Sequence, residues 1–239
     1  MILALDTTSA AGSAAIVRDG AVLIERDGDG SRTHGQRLPL ELMAILRDAR
    51  LTLDAVDAFA VATGPGSFTG LRVGIATIQG LALARRQRVT PVTTFEAIAF
   101  VASRESSRDP GSARVIAVWI DAHRGEVFAS LYSADGRTVM EPPTALAPHV
   151  TLDTWTRSLP PDARIAFAGD GAVRYADVIR ERLGERASVP QQAPSLAGSI
   201  GLIAAADPAR AVAPHALVPL YVRRPDAELA RDRRQATRP

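Results

Sequence analysis

One unit of local structure occurs twice in this chain, about half its length apart, and it limits the fold more than any other feature. An apolar strand ending in an acid, ILALD (2–6), passes through a polar turn into GSAAIV (12–17), and Asp19-Gly20 joins that strand to AVLIE (21–25). The pattern returns as VIAVWID (115–121), a turn, GEVFASLYS (125–133), Asp135-Gly136 and RTVME (137–141). Asp-Gly between alternating strands signals a hairpin, because both turn positions favour φ > 0. Two copies of one supersecondary unit predict a duplicated domain.

Helices and strands alternate after each hairpin. Leu38, Leu42, Ile45, Leu46 and Ala49 recur at helical spacing within 34–50. FAVAT (59–63) reads as a strand, 68–86 as a helix, and PVTTFEAIAFVAS (91–103) as a strand end running into a third helix. The second half offers the strand and loop RIAFAGDG (164–171), then helices near 172–184 and 195–206. Strands separated by helices of this length predict parallel pairing with covered faces. The polar, Pro- and Gly-bearing stretch SRESSRDPGSA (103–113) marks the boundary, which gives domains over 1–105 and 106–222.

Composition removes whole classes of chemistry. With 239 residues, 46% of them hydrophobic, the chain can bury a substantial core. No apolar run approaches the roughly 18–20 residues of a membrane span, and MILALD is too short and too early in acid for a leader. The expectation is a cytoplasmic protein. There is no Cys, so disulfides, thiolate nucleophiles and Cys-ligated zinc are excluded. All 28 basic residues are Arg, and no Asn occurs, which excludes a P-loop or Schiff-base lysine and an Asn oxyanion contact. From Val222 onward six Arg face three acids, a net +3, so the basic pI belongs to an Arg-rich tail (223–239) expected to be disordered.

A Gly- and Ser-rich loop entering a helix, TGPGSFTGLRVG (63–74), raises the question of phosphate binding. A Walker loop needs a Lys beside its last glycine, and here Gly70 precedes Leu71. The structural alternative is favoured: Gly64 and Gly66 permit the turn, Ser67 or Thr69 caps the helix, and the later glycines serve packing. Gly70, Gly74, Ala76, Gly80 and Ala84 form a stripe of small residues, beside an apolar one of Leu71, Ile75 and Ile78. An interior helical Gly costs roughly 1 kcal/mol relative to Ala. Close approach of another helix, in this chain or in a partner, would account for it.

ILALDTT, TGPGSFTGLRVGIATIQGLA, DAHRGEVF (121–128), GDGA (169–172) and PLYVR (219–223) together resemble the bacterial TsaB family, also called YeaZ, in the right order up to about Arg223. His123 departs from an Arg common in the family. The resemblance implies a duplicated actin-like fold of the ribonuclease H-like class, α/β, with each half a mixed sheet flanked by helices. It also implies a non-catalytic scaffold for threonylcarbamoylation of the anticodon-adjacent adenosine of tRNAs reading ANN codons. The implied partners are a TsaD-like paralogue, a TsaE-like ATPase and tRNA through the complex, with a homodimer when the chain is alone and no membrane. In the family the first two helices make the contact. On this chain that implies a partner interface of Leu38, Leu42, Met43, Leu46, Phe68, Leu71, Gly74, Ile75 and Ile78.

The residues give a partial check on a non-catalytic role. His34, His123, His149 and His215 include no pair at i and i+4, so no His-based metal site and no metallopeptidase is expected. Asp6 and Asp121 end the first strand of each half, where actin-like enzymes hold magnesium and phosphate. Their neighbours, Thr7-Thr8-Ser9 and Ala122-His123-Arg124, are bulkier than the glycine turns of those enzymes. Asp6, Thr7, Asp121, Gly169 and Asp170 are therefore expected to be a degenerate nucleotide site, with no required cofactor and at most weak ATP or ADP and Mg. Arg124 is expected to pair with Glu126, and Asp170 to cap the helix after Ala172. The competing expectation is an ATP-dependent kinase or ATPase built on Asp6 and Asp121.

Overall fold

The computed structural model describes residues 1–106 and 115–223. Two five-stranded mixed sheets share one topology. In the first, β1 (Ile2–Asp6) and β2 (Ser13–Arg18) pair antiparallel, as do β2 and β3 (Ala21–Asp27). On its other edge β1 pairs parallel with β4 (Ala58–Ala62), and β4 with β5 (Val89–Val92), giving the order β3-β2-β1-β4-β5. The second sheet repeats this with β6 (Val115–Asp121), β7 (Val127–Ser133), β8 (Val139–Leu146), β9 (Ile165–Ala168) and β10 (Ala187–Ser188), in the order β10-β9-β6-β7-β8. The duplication read from the hairpins is thus a duplication of the whole sheet.

The helices repeat as well. The first half adds α1 (His34–Asp48), α2 (Phe68–Arg85) and α3 (Thr94–Ser106). The second adds α4 (Pro148–Ser158), the broken pair α5 (Asp170–Arg174) and α6 (Ala176–Leu183), and α7 (Ala197–Ala206). Alternation along β1 sorts its side chains to two cores. Leu3 and Leu5 meet α1 and α2, while Ala4 joins Ala15, Ala60 and Ala62 in a flat alanine face beneath α7. Small residues on both sides let α7 lie close: a Cβ on Gly201 would stand 3.2 Å from the Ala4 Cβ.

The third helix of each repeat packs on the sheet of the other. α7 contacts β1, β2 and β4, whereas α3 contacts β6 and β9 as well as α7. One core runs through both halves, from Ala4 and Phe95 to Ile116, Ile120 and Ile200. The third core, around Trp119, Leu131, Trp155 and Phe167, lies on the outer face of the second sheet under α4 and α6. The segment beyond α7 also returns to the first sheet, where Val212 bridges Val89 and the Leu220 N–H donates to Thr63 O at 2.7 Å. Packing therefore sets α7 and residues 211–220 against the first half, although 106–222 is a single stretch in the sequence division.

Several element readings are revised. Asp19 and Gly20 both take positive φ, but at the second turn Asp135 does not, and Gly136 alone has φ +70°. Strand pairing there resumes only at Val139, and β8 runs on to Leu146. The expected helix 172–184 is broken at Tyr175, and α4 adds a helix that the sequence reading did not include. The first four residues of the predicted linker (103–113) are the last of α3, and its remainder, like the Arg-rich tail (223–239) beyond Arg223, lies outside the described residues.

Candidate functional site

The loop from Thr63 to Gly74 folds against the Thr7-Thr8 turn that follows β1. Ser67 caps α2 by accepting from the Gly70 N–H at 3.2 Å, and the Ser67 N–H donates to Thr8 O at 2.7 Å. A Cβ on Gly70 would lie 2.1 Å from Thr7 O, and one on Gly74 2.1 Å from Thr7 Oγ1. These two glycines exist to let α2 press on the end of β1. The close neighbour is the Thr7-Thr8 turn, not the helix expected from the small-residue spacing. Gly80 differs, because nothing stands within 4 Å of its Cβ position.

The acids that end β1 and β6 serve their own turns. Asp6 Oδ1 accepts from the Thr8 N–H at 2.9 Å and from Thr8 Oγ1 at 2.7 Å. Asp121 Oδ1 accepts from the His123 N–H at 3.0 Å, the same bond two residues on, so the duplication extends to single hydrogen bonds. Arg174 and His123 flank the other Asp121 oxygen at 3.4 and 3.5 Å. Glu126 pairs with Arg223 at 2.6 Å, a partner that the sequence reading did not name. Asp170 is the first residue of α5, not a cap for a later start. Its Oδ1 accepts from the Gly171 N–H at 2.8 Å and from the Asp121 N–H at 3.0 Å, tying α5 to β6.

Asp6 and Asp170 line one small cavity with Thr8, Thr94, Gly169 and Pro194, of about 50 Å³. Ligand pockets usually measure about 300–1,000 Å³, so the space holds water-sized molecules. The segment leading into α7 closes it: Ser13 Oγ accepts from the Ala197 N–H at 2.9 Å, and Ser195 Oγ donates to Asp27 at 2.5 Å. Burial pushes the Asp6 carboxyl above the ordinary Asp range, opposed by the two Thr8 bonds and reinforced by Asp170. Burial raises Asp170 too, opposed by the two backbone N–H donors. Asp121 lines a separate groove, and its backbone N–H is joined to this cavity through Asp170.

A buried cation locks the turn between β1 and β2. Arg37, 3% exposed, donates to Ala10 O at 3.0 Å, Ala11 O, Arg32 O at 3.3 Å and Glu41 at 2.5 Å. His34 stands between this guanidinium and the turn. A carbonyl can only accept, so His34 Nε2 carries the proton given to Ser9 O at 3.0 Å, and Nδ1 accepts from Arg37 at 2.8 Å. Burial, with Arg37 adding to it, pushes the His34 pKa below its ordinary value. Arg37 was not singled out in the sequence, because an Arg on an amphipathic helix reads as a solvated side chain.

The expected interface residues divide sharply. Leu38, Leu42, Leu46, Leu71, Gly74, Ile75 and Ile78 are buried, the larger ones against the first sheet, and they form the core of this chain. Met43 is on the outside of α1, 68% exposed, and Phe68 at the start of α2 is 43% exposed. The face that α1 and α2 turn to solvent carries Leu40 (64% exposed), Met43 and Leu83 (59%), together with Ala76 and the open Gly80. These exposed apolar residues, not the ones at core spacing, are available to a partner. Among the described residues no group of three or more His, Asp or Glu is placed to hold a metal ion, and no helix is long and apolar enough to cross a membrane.

Comparison with known proteins agrees with this architecture. The family profile described as TsaD, tRNA N6-adenosine threonylcarbamoyltransferase, matches residues 28–175. The tRNA threonylcarbamoyladenosine biosynthesis protein TsaB of Escherichia coli is 39% identical over 134 residues, 56% of this chain and 55% of that one. YeaZ from Pseudomonas aeruginosa superposes with a TM-score of 0.70 at 30% identity, covering 92% of this chain and 98% of that structure. Component A of the Acidaminococcus fermentans (R)-2-hydroxyglutaryl-CoA dehydratase, with a TM-score of 0.55 at 11% identity over 87% of this chain and 98% of its own, shares the fold alone. A duplicated actin-like fold and full-length likeness to YeaZ place the chain in the TsaB (YeaZ) family.

Proposed function

We propose that this chain is a non-catalytic scaffold in the threonylcarbamoylation of tRNA, pairing with a TsaD-like subunit through the outer faces of α1 and α2. The role in forming threonylcarbamoyladenosine is that of the proteins it resembles. The observation that carries the pairing is the exposure of Leu40 and Met43 on α1 and of Leu83, with the open Gly80, on α2. Large apolar side chains clustered at a surface mark a contact, and a glycine there lets a second helix come close. A specific interface of this kind buries on the order of 800 Å² per partner. Two features support a structural role over a catalytic one: the cavity at Asp6 and Asp170 is a few water molecules in size, and both acids are engaged in holding turns.

In this reading the TsaD-like subunit carries the chemistry, a TsaE-like ATPase joins the pair, and the complex holds tRNA in the cytoplasm. The chain itself requires no cofactor, and the same outer face pairs two copies when the partner is absent. Sedimentation of the mixed subunits tests it. Met43→Glu with Leu40→Glu should abolish association and the modification activity of the reconstituted complex, with the melting temperature of the isolated chain unchanged. Survival of the complex would place the interface elsewhere. Tight Mg-ATP binding by the isolated chain, lost in Asp6→Ala, would favour the ATPase instead.

A further inference from the structure

A groove of about 460 Å³ opens at the N-terminus of α2, between the loop from Pro65 to Thr69, the turn after β6 and the segment from Leu220 to Arg223. Two exposed aromatic rings stand in its wall. Phe68 and Tyr221 lie 5.5 Å apart between centroids, and Tyr221 is 37% exposed. The Arg72 guanidinium covers the Phe68 ring at 3.9 Å and donates through Nε to the Tyr221 hydroxyl at 3.3 Å. Arg72 is thus held flat by an aromatic ring and a hydroxyl, with no carboxylate among its described partners. The acids nearby are already neutralised, Asp121 by Arg174 and Glu126 by Arg223.

We propose that this groove binds single-stranded RNA, with a base stacked against the wall of Phe68 and Tyr221 that Arg72 braces, and its phosphate facing the N-terminus of α2. Unpaired bases are recognised by stacking on aromatic rings and on guanidinium planes, and both are present here in one stack. An 18-residue helix presents its positive end at the same place, through residues that line the groove. Charge complementarity continues along the chain. The residues after Arg223, which itself lines the groove, contain five Arg against three acids. The inference extends the tRNA reading above by assigning this chain an RNA contact of its own, and its test needs no partner subunit.

The probe is a fluorescein-labelled single-stranded adenylate dodecamer, titrated with the full chain and followed by anisotropy. Phe68→Ala and Arg72→Gln should each weaken binding about five- to tenfold or more, and the double variant should lose little beyond either, because the two side chains form one stack. Phe68→Tyr should bind as the parent does. Phe68→Ala should leave the slope of log K against log salt unchanged, because it removes a stacking surface and no charge. A duplex of the same length, whose bases are already paired, should compete poorly. Equal competition by the duplex, or unchanged affinity in both variants, overturns the proposal. Loss of subunit association in Met43→Glu bears only on the scaffold reading, so the two fail separately.

Discussion

Removing the buried guanidinium of Arg37 should destabilise this protein more than any other single change to a charged side chain. Arg37→Ala leaves Ala10 O, Ala11 O and Arg32 O without the donors that hold them, strands His34 Nδ1, and deprives Glu41 of its partner. Hydrogen bonds from a charged donor contribute about 1.5–3 kcal/mol each, but they are not additive when one group makes them all. Breaking a buried ion pair by deleting one partner costs about 3–5 kcal/mol, and Glu41 keeps some access to water, so we take about 3–4 kcal/mol. Set against a total stability of about 5–15 kcal/mol, this is a large fraction. For a chain of this size it corresponds to about 6–16 °C in melting temperature.

Urea denaturation followed by circular dichroism, on parent and variant, measures the loss directly. Arg37→Lys should recover only part of it, because an ammonium has three donors and no planar fork. A double-mutant cycle with His34→Ala should show coupling above about 0.5 kcal/mol. A loss below about 1 kcal/mol for Arg37→Ala, or additive effects in the cycle, would refute the claim that this side chain locks the β1–β2 turn.

Four further outcomes are expected. Leu42→Glu buries a carboxylate in the core and should cost several kcal/mol in denaturation, whereas the neighbouring Met43→Glu should fall within about 0.5 kcal/mol of the parent. Gly80→Ala should stabilise the isolated chain by about 0.5–1 kcal/mol, while Gly74→Ala must displace Thr7 and should destabilise it by a similar amount or more. Asp6→Asn keeps an oxygen for the Thr8 donors and removes the burden of ionising a buried carboxyl. Because the folded pKa of Asp6 is raised, its contribution favours folding below about pH 3.8 and is lost as pH rises through the folded value, so the variant should be as stable as the parent or more so at neutral pH. For His34 the sign is opposite. With its folded pKa lowered, the contribution is complete above about pH 6.5 and falls as pH drops from there, so melting curves should show a loss of stability below pH 6.5 that His34→Gln diminishes.

The hairpins were legible because their signals are local. Asp19-Gly20 makes its turn from its own two positive φ angles, and the acid ending each first strand marks the same bond in both halves. Helix spacing was legible as well, but its meaning was not. Leu42 and Ile75 show the periodicity of a buried face, and a sequence has no means of saying whether a sheet or another protein covers it. Their burial against β1 and β4 shows that the sheet does, and that the face left over contains Leu40 and Met43. The glycines of α2 announced a close approach without naming Thr7, which is more than sixty residues away in the chain. The crossing of α3 and α7 was beyond reach for the same reason, since each helix looks amphipathic or apolar on its own terms.

That crossing has a consequence for synthesis. The alanine face of the first sheet is complete once β4 has emerged from the ribosome, yet the helix that covers it begins about 135 residues later, at Ala197. At elongation rates of about 5–20 residues per second the nascent chain spends roughly 7–27 seconds with that face bare. A row of small side chains presents little grease to a chaperone or to a neighbouring nascent chain, so the choice of Ala4, Ala15, Ala60 and Ala62 that lets α7 lie close also keeps the unfinished protein from sticking while it waits.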